Sequence, residues 1–114
     1  MQTTAELGAR FRRDGVAVVR GALGPEWIER LAEGVEYNRE NPSEWSHWYT
    51  DENEAVGFWS DYVTWPKVDA YRAVAFDSGL AHLAADLMGS DSARFFHEHV
   101  LVKEPGATER TPWH

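Results

Sequence analysis

Cysteine is absent from this sequence of 114 residues, and its absence limits the chemistry available to the chain. Without cysteine there is neither a disulfide framework nor a thiolate metal site. Any bound metal ion must therefore be held by histidine and carboxylate side chains. The chain offers five histidines and nineteen acidic residues for that purpose.

Long apolar runs are also absent. No run approaches the roughly 18 apolar residues that a membrane-spanning helix requires. The N-terminal residues Met1–Glu6 lack the basic and apolar blocks of a secretion signal. We therefore expect a cytoplasmic protein with no membrane partner.

Basic residues are scarce relative to acidic ones. Eleven Lys and Arg residues against nineteen Asp and Glu residues give a net charge of −8, and no Lys/Arg run interrupts that balance. A phosphate backbone would be repelled, so we expect no nucleic-acid partner. The 43% hydrophobic and 26% charged composition is typical of a globular chain. The length fits one domain or part of a larger one.

The N-terminal quarter carries local helix and strand signals. Thr3 and Glu6 have the spacing of a capping box, which predicts the start of a first helix. Asp14-Gly15 is a turn signal that ends this helix. The run Val16–Val19 then predicts a buried strand.

The middle of the chain alternates between helical patterns and a segment without a clean period. Pro25 suits the first position of a second helix, which should stop near Asn41-Pro42. We interpret Ser43–Pro66, rich in aromatic residues, as a long, partly ordered excursion. Asp77-Ser78 offers an N-cap for a later helix, and Gly89 offers its C-cap.

The last segment changes to an alternating pattern. From Phe95 to Lys103 the odd and even positions should face opposite sides of a strand. The run Glu104–Ala107 predicts a turn, with proline at its first corner and glycine at its second. A second strand should begin near Thr111. These features together predict a hairpin.

Three of the five histidines fall in this predicted hairpin: His97, His99 and His114. Neutral imidazole is a common ligand for iron, zinc and copper. Because His97 and His99 are two apart on a strand, both can point into one cavity. The alternative is that they occupy a polar or solvent-facing side of the hairpin.

The run Arg94–Gly106, followed by Thr111–His114, resembles the phytanoyl-CoA dioxygenase family of non-haem iron(II), 2-oxoglutarate-dependent oxygenases. In that family a strand ending in Lys-x-Pro-Gly leads to a Trp-His-x-Asp segment. Phe11 with Asp14–Val16 is similar to the family opening, and Leu87–Gly89 is similar to the end of the helix before the hairpin. The resemblance spans most of the chain, and its last 21 residues are the distinctive part.

The resemblance implies an α+β fold with N-terminal helices and the first strands of a double-stranded β-helix (jelly roll). That barrel would be incomplete in this chain, because the family's remaining strands would follow His114. Residues 1–114 would then form a single domain, the N-terminal part of the jelly roll.

The resemblance also implies a set of site residues. His114 corresponds to the first iron(II) ligand, and His99 to the strand position that contacts 2-oxoglutarate. His97 and Lys103 share the face of His99 and are further candidates for cosubstrate binding. The family's Asp ligand, expected two positions after His114, its second His and its distal Arg are not in this sequence. One ligand cannot make an iron site, so we expect the chain to be the N-terminal part of an enzyme.

The function implied is a dioxygenase that hydroxylates a small organic substrate at an unactivated carbon, using molecular oxygen and releasing succinate and CO2. The family often uses the aromatic region between Trp45 and Trp65 as a lid or pocket wall. The alternative is that these aromatic side chains only pack an irregular segment onto the barrel.

Two readings from other classes remain open. A self-contained cupin-like module would use His97, His99 and Glu104 as metal ligands, although Glu104 lies at a turn rather than on the strand. A non-catalytic domain would bind a partner through its aromatic segment. Measured metal content in variants of His114 and Glu104 separates the two metal hypotheses.

Overall fold

The computed structural model describes residues 2–50 and 57–113, which contain four helices and a three-stranded antiparallel sheet. The helices are α1 (Thr4–Asp14), α2 (Pro25–Glu40), α3 (Asp69–Asp77) and α4 (Leu80–Met88), and the strands are β1 (His47–Trp48), β2 (Phe58–Tyr62) and β3 (His99–Lys103). The arrangement is α+β, as predicted. Closure into a jelly roll remains a prediction.

The predicted caps of α1 are confirmed. The Thr3 hydroxyl accepts a hydrogen bond from the Glu6 backbone N–H, and the Glu6 carboxylate accepts one from the Thr3 backbone N–H. Gly15 ends the helix with φ 74°, a left-handed conformation that glycine adopts without steric cost. Both ends of α1 are therefore determined by residues within the helix or next to it.

The prediction of a buried strand at Val16–Val19 is wrong. Val16 and Val18 are each 61% exposed, and the segment has no strand conformation. A strand needs a neighbour to satisfy its backbone groups, and no described segment pairs with this one. The apolar composition of Val16–Val19 does not indicate whether such a neighbouring strand exists.

Helix α2 begins at Pro25 and ends at Glu40, close to the predicted limits. It packs against α3. At the crossing a Cβ built on Gly34 would lie 2.6 Å from the Ala70 Cβ, so only glycine permits this approach of the two backbones. Gly34 therefore sets the distance between α2 and α3.

Helix α3 was not predicted, and the start of α4 differs from its prediction. The buried residues of α3 include Ala70, Tyr71 and Val74, spaced as on one helical side. The N-cap of α4 is Gly79 rather than Ser78, although the Ser78 hydroxyl accepts a hydrogen bond from the Leu80 N–H at 3.3 Å.

The sheet has the order β1-β2-β3, with the β2 strand in the centre. Its strands β1 and β2 both come from Ser43–Pro66, the segment predicted to be a partly ordered excursion, and the sequence had not predicted either strand. Four of the five residues of β2 are buried, which removes the alternation that marks a strand in sequence. Residues 51–56 lie outside the described part of the chain.

Strand β3 begins at His99 instead of Phe95. Its ladder with β2 starts at the pair Tyr62–His99. Just beyond that pair, Val63 has φ 57°, so the β2 strand turns away and Phe95–Glu98 find no partner strand.

The turn after β3 is confirmed. The Ala107 N–H donates to the Glu104 carbonyl at 3.0 Å, and Gly106 has φ 92° as a type II turn requires. The strand predicted near Thr111 is not found in the residues described up to Trp113.

The main core lies between the sheet and the helices α2 and α3. Val68, Ala70 and Tyr71 form its buried centre, and Leu31 of α2 and Val100 of β3 pack against them. Helix α4 packs against both α1 and α3. In residues 2–50 and 57–113 no helix has the length and apolar character needed to cross a bilayer.

Candidate active-site face

The antiparallel register divides the sheet into two faces of different character. We call the side that the helices cover the helix face, and it carries Trp59, Asp61, Val100 and Val102. We call the other side the open face. Its strand residues are His47, Phe58, Ser60, Tyr62, His99, Leu101 and Lys103.

The helix face is fixed by a buried carboxylate. Asp61 is fully buried and accepts hydrogen bonds from the Asn38 side chain at 2.9 Å and from the Ser43 N–H at 2.8 Å. The Ser43 hydroxyl and the Tyr62 N–H also donate to it. The Tyr71 hydroxyl extends the network by donating to the Asn38 oxygen at 3.1 Å. This network ties the segment after α2 to the central strand.

The protonation of Asp61 follows from these contacts. Burial alone would raise the pKa of Asp61, but the hydrogen bonds from Ser43, Asn38 and the Tyr62 N–H outweigh it and hold the pKa below the ordinary aspartate value. Asp61 is therefore a buried anion at neutral pH. Burial raises the pKa of the neighbouring Tyr71, and the negative charges on Glu98 and Asp61 raise it further.

One part of the open face is covered by Tyr49. Its ring lies 4.7 Å from that of Phe58 and 4.6 Å from that of His47, measured between ring centroids. The Ser60 hydroxyl bonds to the Tyr49 hydroxyl at 3.1 Å. These contacts explain why Phe58 and Ser60 are buried although they lie on the open face.

The rest of the open face centres on Tyr62. The rings of His99, Trp45 and His97 lie 5.4, 5.9 and 6.2 Å from it. Both histidines are exposed, as is Trp45. We call these four residues the aromatic–histidine cluster. It brings His97 and His99 together, as the sequence predicted, and adds two residues that the sequence analysis had not placed.

Lys103 shares the open face with His99 but directs its ammonium group elsewhere. Its Nζ lies 5.4 Å from the centre of the Phe58 ring and donates to the Glu109 carbonyl. The cation therefore already has a hydrogen-bond acceptor and an aromatic partner. Its position argues for a role in holding the end of β3 rather than in binding a cosubstrate carboxylate.

The predicted iron ligand His114 lies outside the described residues, so its role remains a prediction. Among residues 2–50 and 57–113 no group of three His, Cys, Asp or Glu side chains could hold a metal ion. That part of the chain therefore does not supply an iron site from its own side chains. By contrast, the His99 imidazole is exposed and can donate a hydrogen bond to a carboxylate, so its role in cosubstrate binding stays a prediction.

The cupin-like alternative is not supported. Glu104 forms an ion pair with Arg39 of α2 at 3.1 Å and follows the last residue of β3. It does not join His97 and His99 in a ligand group within the described part of the chain.

The interpretation of Trp45–Trp65 as a pocket wall included Trp45 and Tyr62, but no local rule placed them beside the histidines or indicated the buried Asp61 that anchors this region. Phe58, Ser60 and Tyr62 occupy every second position, as residues on one face of a strand do, and this spacing was a weak signal for the open face. Their significance depends on pairing with β3, which is more than 35 positions away for every pair.

The comparison with known families agrees with the resemblance found in the sequence. The family described as phytanoyl-CoA dioxygenase (PhyH) matches residues 11–114, which is most of the chain. Neither the curated proteins nor the solved structures gave a significant match. The family match covers both α2 and the whole sheet, including the aromatic–histidine cluster. The chain therefore belongs to the phytanoyl-CoA dioxygenase family, a family of oxygenases.

Proposed function

We propose that the protein is an iron(II)- and 2-oxoglutarate-dependent dioxygenase that hydroxylates a small organic substrate. Residues 1–114 would form the N-terminal part of its jelly roll, with His114 as the first iron ligand. The observation that carries the proposal is the aromatic–histidine cluster on the open face of the sheet, in a chain of this family.

Iron(II) with 2-oxoglutarate would supply the oxygen-activating chemistry that side chains lack. The chain's own part is to bind and orient. His99 would donate a hydrogen bond to a carboxylate of 2-oxoglutarate, and His97, whose ring also lies near that of Tyr62, would be a second donor. Each imidazole lies beside the Tyr62 ring, which would help to orient it for binding.

Trp45 and Tyr62 would form the wall against which the organic substrate packs. Aromatic rings exclude water and present large, rigid contact surfaces. The Trp45 position follows from the anchoring of Ser43 by Asp61, because the Trp45 N–H donates to the Ser43 hydroxyl at 3.0 Å. Excluding water from a reactive oxidant is part of what such an enzyme must do.

The proposal is tested by oxygen-dependent succinate formation in the intact protein supplied with iron(II), 2-oxoglutarate and a panel of small organic substrates. His99→Ala should raise the KM for 2-oxoglutarate about tenfold, which corresponds to the loss of one hydrogen bond to a charged group. Lys103→Ala should change that KM much less, because its ammonium group already has a carbonyl acceptor.

The matched control is His82→Ala, which removes an exposed histidine from α4 and should leave both kcat and KM unchanged. An unchanged KM in His99→Ala would remove the cosubstrate role from this residue. Absence of succinate formation with every substrate would argue against the dioxygenase proposal itself.

A further inference from the structure

A cleft lies between helices α2, α3 and α4 and the segment that precedes β3. Its volume of about 490 Å³ falls in the range of small-molecule binding sites. We call it the helical cleft. Its walls are mostly apolar side chains such as Leu31, Val74, Ala84 and Phe95, and its polar lining residues include Arg94, Glu98 and His99.

Glu98 brings a carboxyl group with one unpartnered oxygen to this apolar setting. One carboxylate oxygen, Oε1, accepts hydrogen bonds from the Thr64 hydroxyl at 2.7 Å and from the Thr64 N–H. The other, Oε2, is buried and accepts no hydrogen bond from any described residue. Tyr71 also lines the cleft, but its hydroxyl donates to Asn38. A buried acceptor without a donor is costly and needs an explanation.

The carboxylate is held in this position at a conformational cost. Val63 adopts φ 57°, a conformation that a β-branched residue rarely takes. In this conformation its N–H donates to the Glu98 carbonyl at 3.2 Å, and the next residue, Thr64, binds the Glu98 carboxylate. Strained residues of this kind concentrate at ligand-binding sites, where the surrounding structure holds them. Glu98 is thus fixed before any ligand arrives.

We propose that the helical cleft binds an amphiphilic primary amine. The alkyl chain would fill the apolar part of the cleft, and the ammonium group would donate to Glu98 Oε2. A cation is favoured over a neutral donor because a charge-assisted hydrogen bond is stronger and also neutralises the buried carboxylate. Arg94 also lines the cleft, but it is exposed, so its repulsion is screened by water.

This site adjoins the oxygenase site proposed for the open face, because His99 lines the cleft and also belongs to the aromatic–histidine cluster. The side chain of Glu98 is held by Thr64, which follows β2, whereas the neighbouring His97 and His99 lie beside Tyr62. Binding of an amine to the cleft needs neither iron nor 2-oxoglutarate. The two proposals can therefore fail independently.

The experiment is calorimetric titration of the intact protein with octylammonium, octanol and octanoate, all below their micelle-forming concentrations. Octylammonium should bind about tenfold more tightly than octanol, and octanoate should bind most weakly. Glu98→Gln should abolish this preference, because glutamine keeps an acceptor for Thr64 but removes the charge. Ala84→Leu should weaken all three ligands by filling the cleft, and His82→Leu on the same helix should change none.

Three results would overturn the proposal. These are no octylammonium binding to the wild-type protein, undiminished binding in Ala84→Leu, and an unchanged preference for ammonium in Glu98→Gln. If Glu98→Gln does not fold, Ala81→Leu fills the same cleft from the preceding turn of α4 and gives a second test. Wild-type affinity for octylammonium in both Ala84→Leu and Ala81→Leu would show that the amine binds outside the cleft.

Discussion

At the scale of single residues, Asp61 connects the core to the open face. It is fully buried, and its donors come from α2, from the segment after α2 and from its own strand. Ser43, held by Asp61, in turn positions Trp45 beside Tyr62. A structural carboxylate on one face of the sheet thereby positions a proposed substrate contact on the other.

Replacing Asp61 with asparagine should lower the free energy of unfolding by roughly 2–5 kcal/mol, because donors that meet a buried anion lose their acceptor. Urea unfolding of the intact protein measures this change. Asp77→Asn, at the exposed end of α3, is the matched control and should change stability by less than about 0.5 kcal/mol. Equal effects of the two substitutions would show that the Asp61 network does not stabilise the fold more than an exposed aspartate does.

The pH dependence of this effect has a defined sign. Because the pKa of Asp61 is lowered in the folded protein, its stabilising contribution is complete above the ordinary aspartate pKa. It is lost as the pH falls through the lower, folded-state pKa. The stability difference between wild type and Asp61→Asn should therefore shrink below about pH 4. A difference that stays constant from pH 7 to pH 3 would contradict the assignment.

Val63 stores backbone strain that a single substitution should release. Glycine adopts φ near 57° freely, so Val63→Gly should raise the free energy of unfolding by about 1 kcal/mol despite the lost side chain, which is 44% exposed. Val18→Gly provides the contrast, because Val18 is also exposed but does not have a positive φ. It should be destabilising or neutral. Thermal unfolding that ranked the two variants in the opposite order would contradict the strain argument.

Contacts between residues close together in the sequence could be predicted, whereas contacts between distant residues could not. The capping box of Thr3 and Glu6 and the glycine cap at Gly89 were correct because each depends on residues a few positions away. The contact of Glu98 with Thr64 spans 34 positions and that of Asp61 with Ser43 spans 18. No periodicity or motif encodes such a pairing before the fold is known.

At the scale of secondary-structure elements, the distance between α2 and α3 depends on Gly34. A methyl group there would lie 2.6 Å from the Ala70 Cβ. Overpacking costs about 1–3 kcal/mol, against a gain of about 1 kcal/mol from replacing glycine within a helix, so Gly34→Ala should be a net loss. Gly8→Ala is the matched control within α1, where the nearest atom is the flexible end of Arg12 at 3.4 Å.

Gly8→Ala should stabilise the protein by up to about 1 kcal/mol, since only the helix-propensity term applies. Chemical unfolding of both variants gives the comparison. A Gly34→Ala variant as stable as Gly8→Ala would show that α2 can move away from α3 without cost.

The strands were harder to predict than the helices, for physical reasons visible in β2 and in Val16–Val19. Strand β2 is buried on both faces, one under Tyr49 and one under α2, so it shows no apolar–polar alternation. Val16–Val19 has the composition of a strand but no partner among the described residues. Strand formation depends on a neighbour that the local sequence does not specify.

At the scale of the whole molecule, the described residues form a helical layer on one face of a sheet whose other face bears the aromatic–histidine cluster. The α+β class was predictable because the resemblance to the family implied it, and local helix signals and the alternation near the C-terminus agreed with it. The family could be identified from the distinctive run at Arg94–His114, and its match over residues 11–114 agrees. The different character of the helix face and the open face could not be predicted, because it depends on the register of β2 with β3.

The proposed dioxygenase depends on His114 as an iron ligand. The most direct test is the iron content of the intact protein purified with iron(II), compared among wild type, His114→Ala and Glu104→Ala, with 2-oxoglutarate turnover measured on the same samples. We predict stoichiometric iron and turnover in wild type, loss of both in His114→Ala, and retention of both in Glu104→Ala, where only the ion pair with Arg39 is lost. Full iron occupancy in His114→Ala, or iron lost only in Glu104→Ala, would contradict the claim.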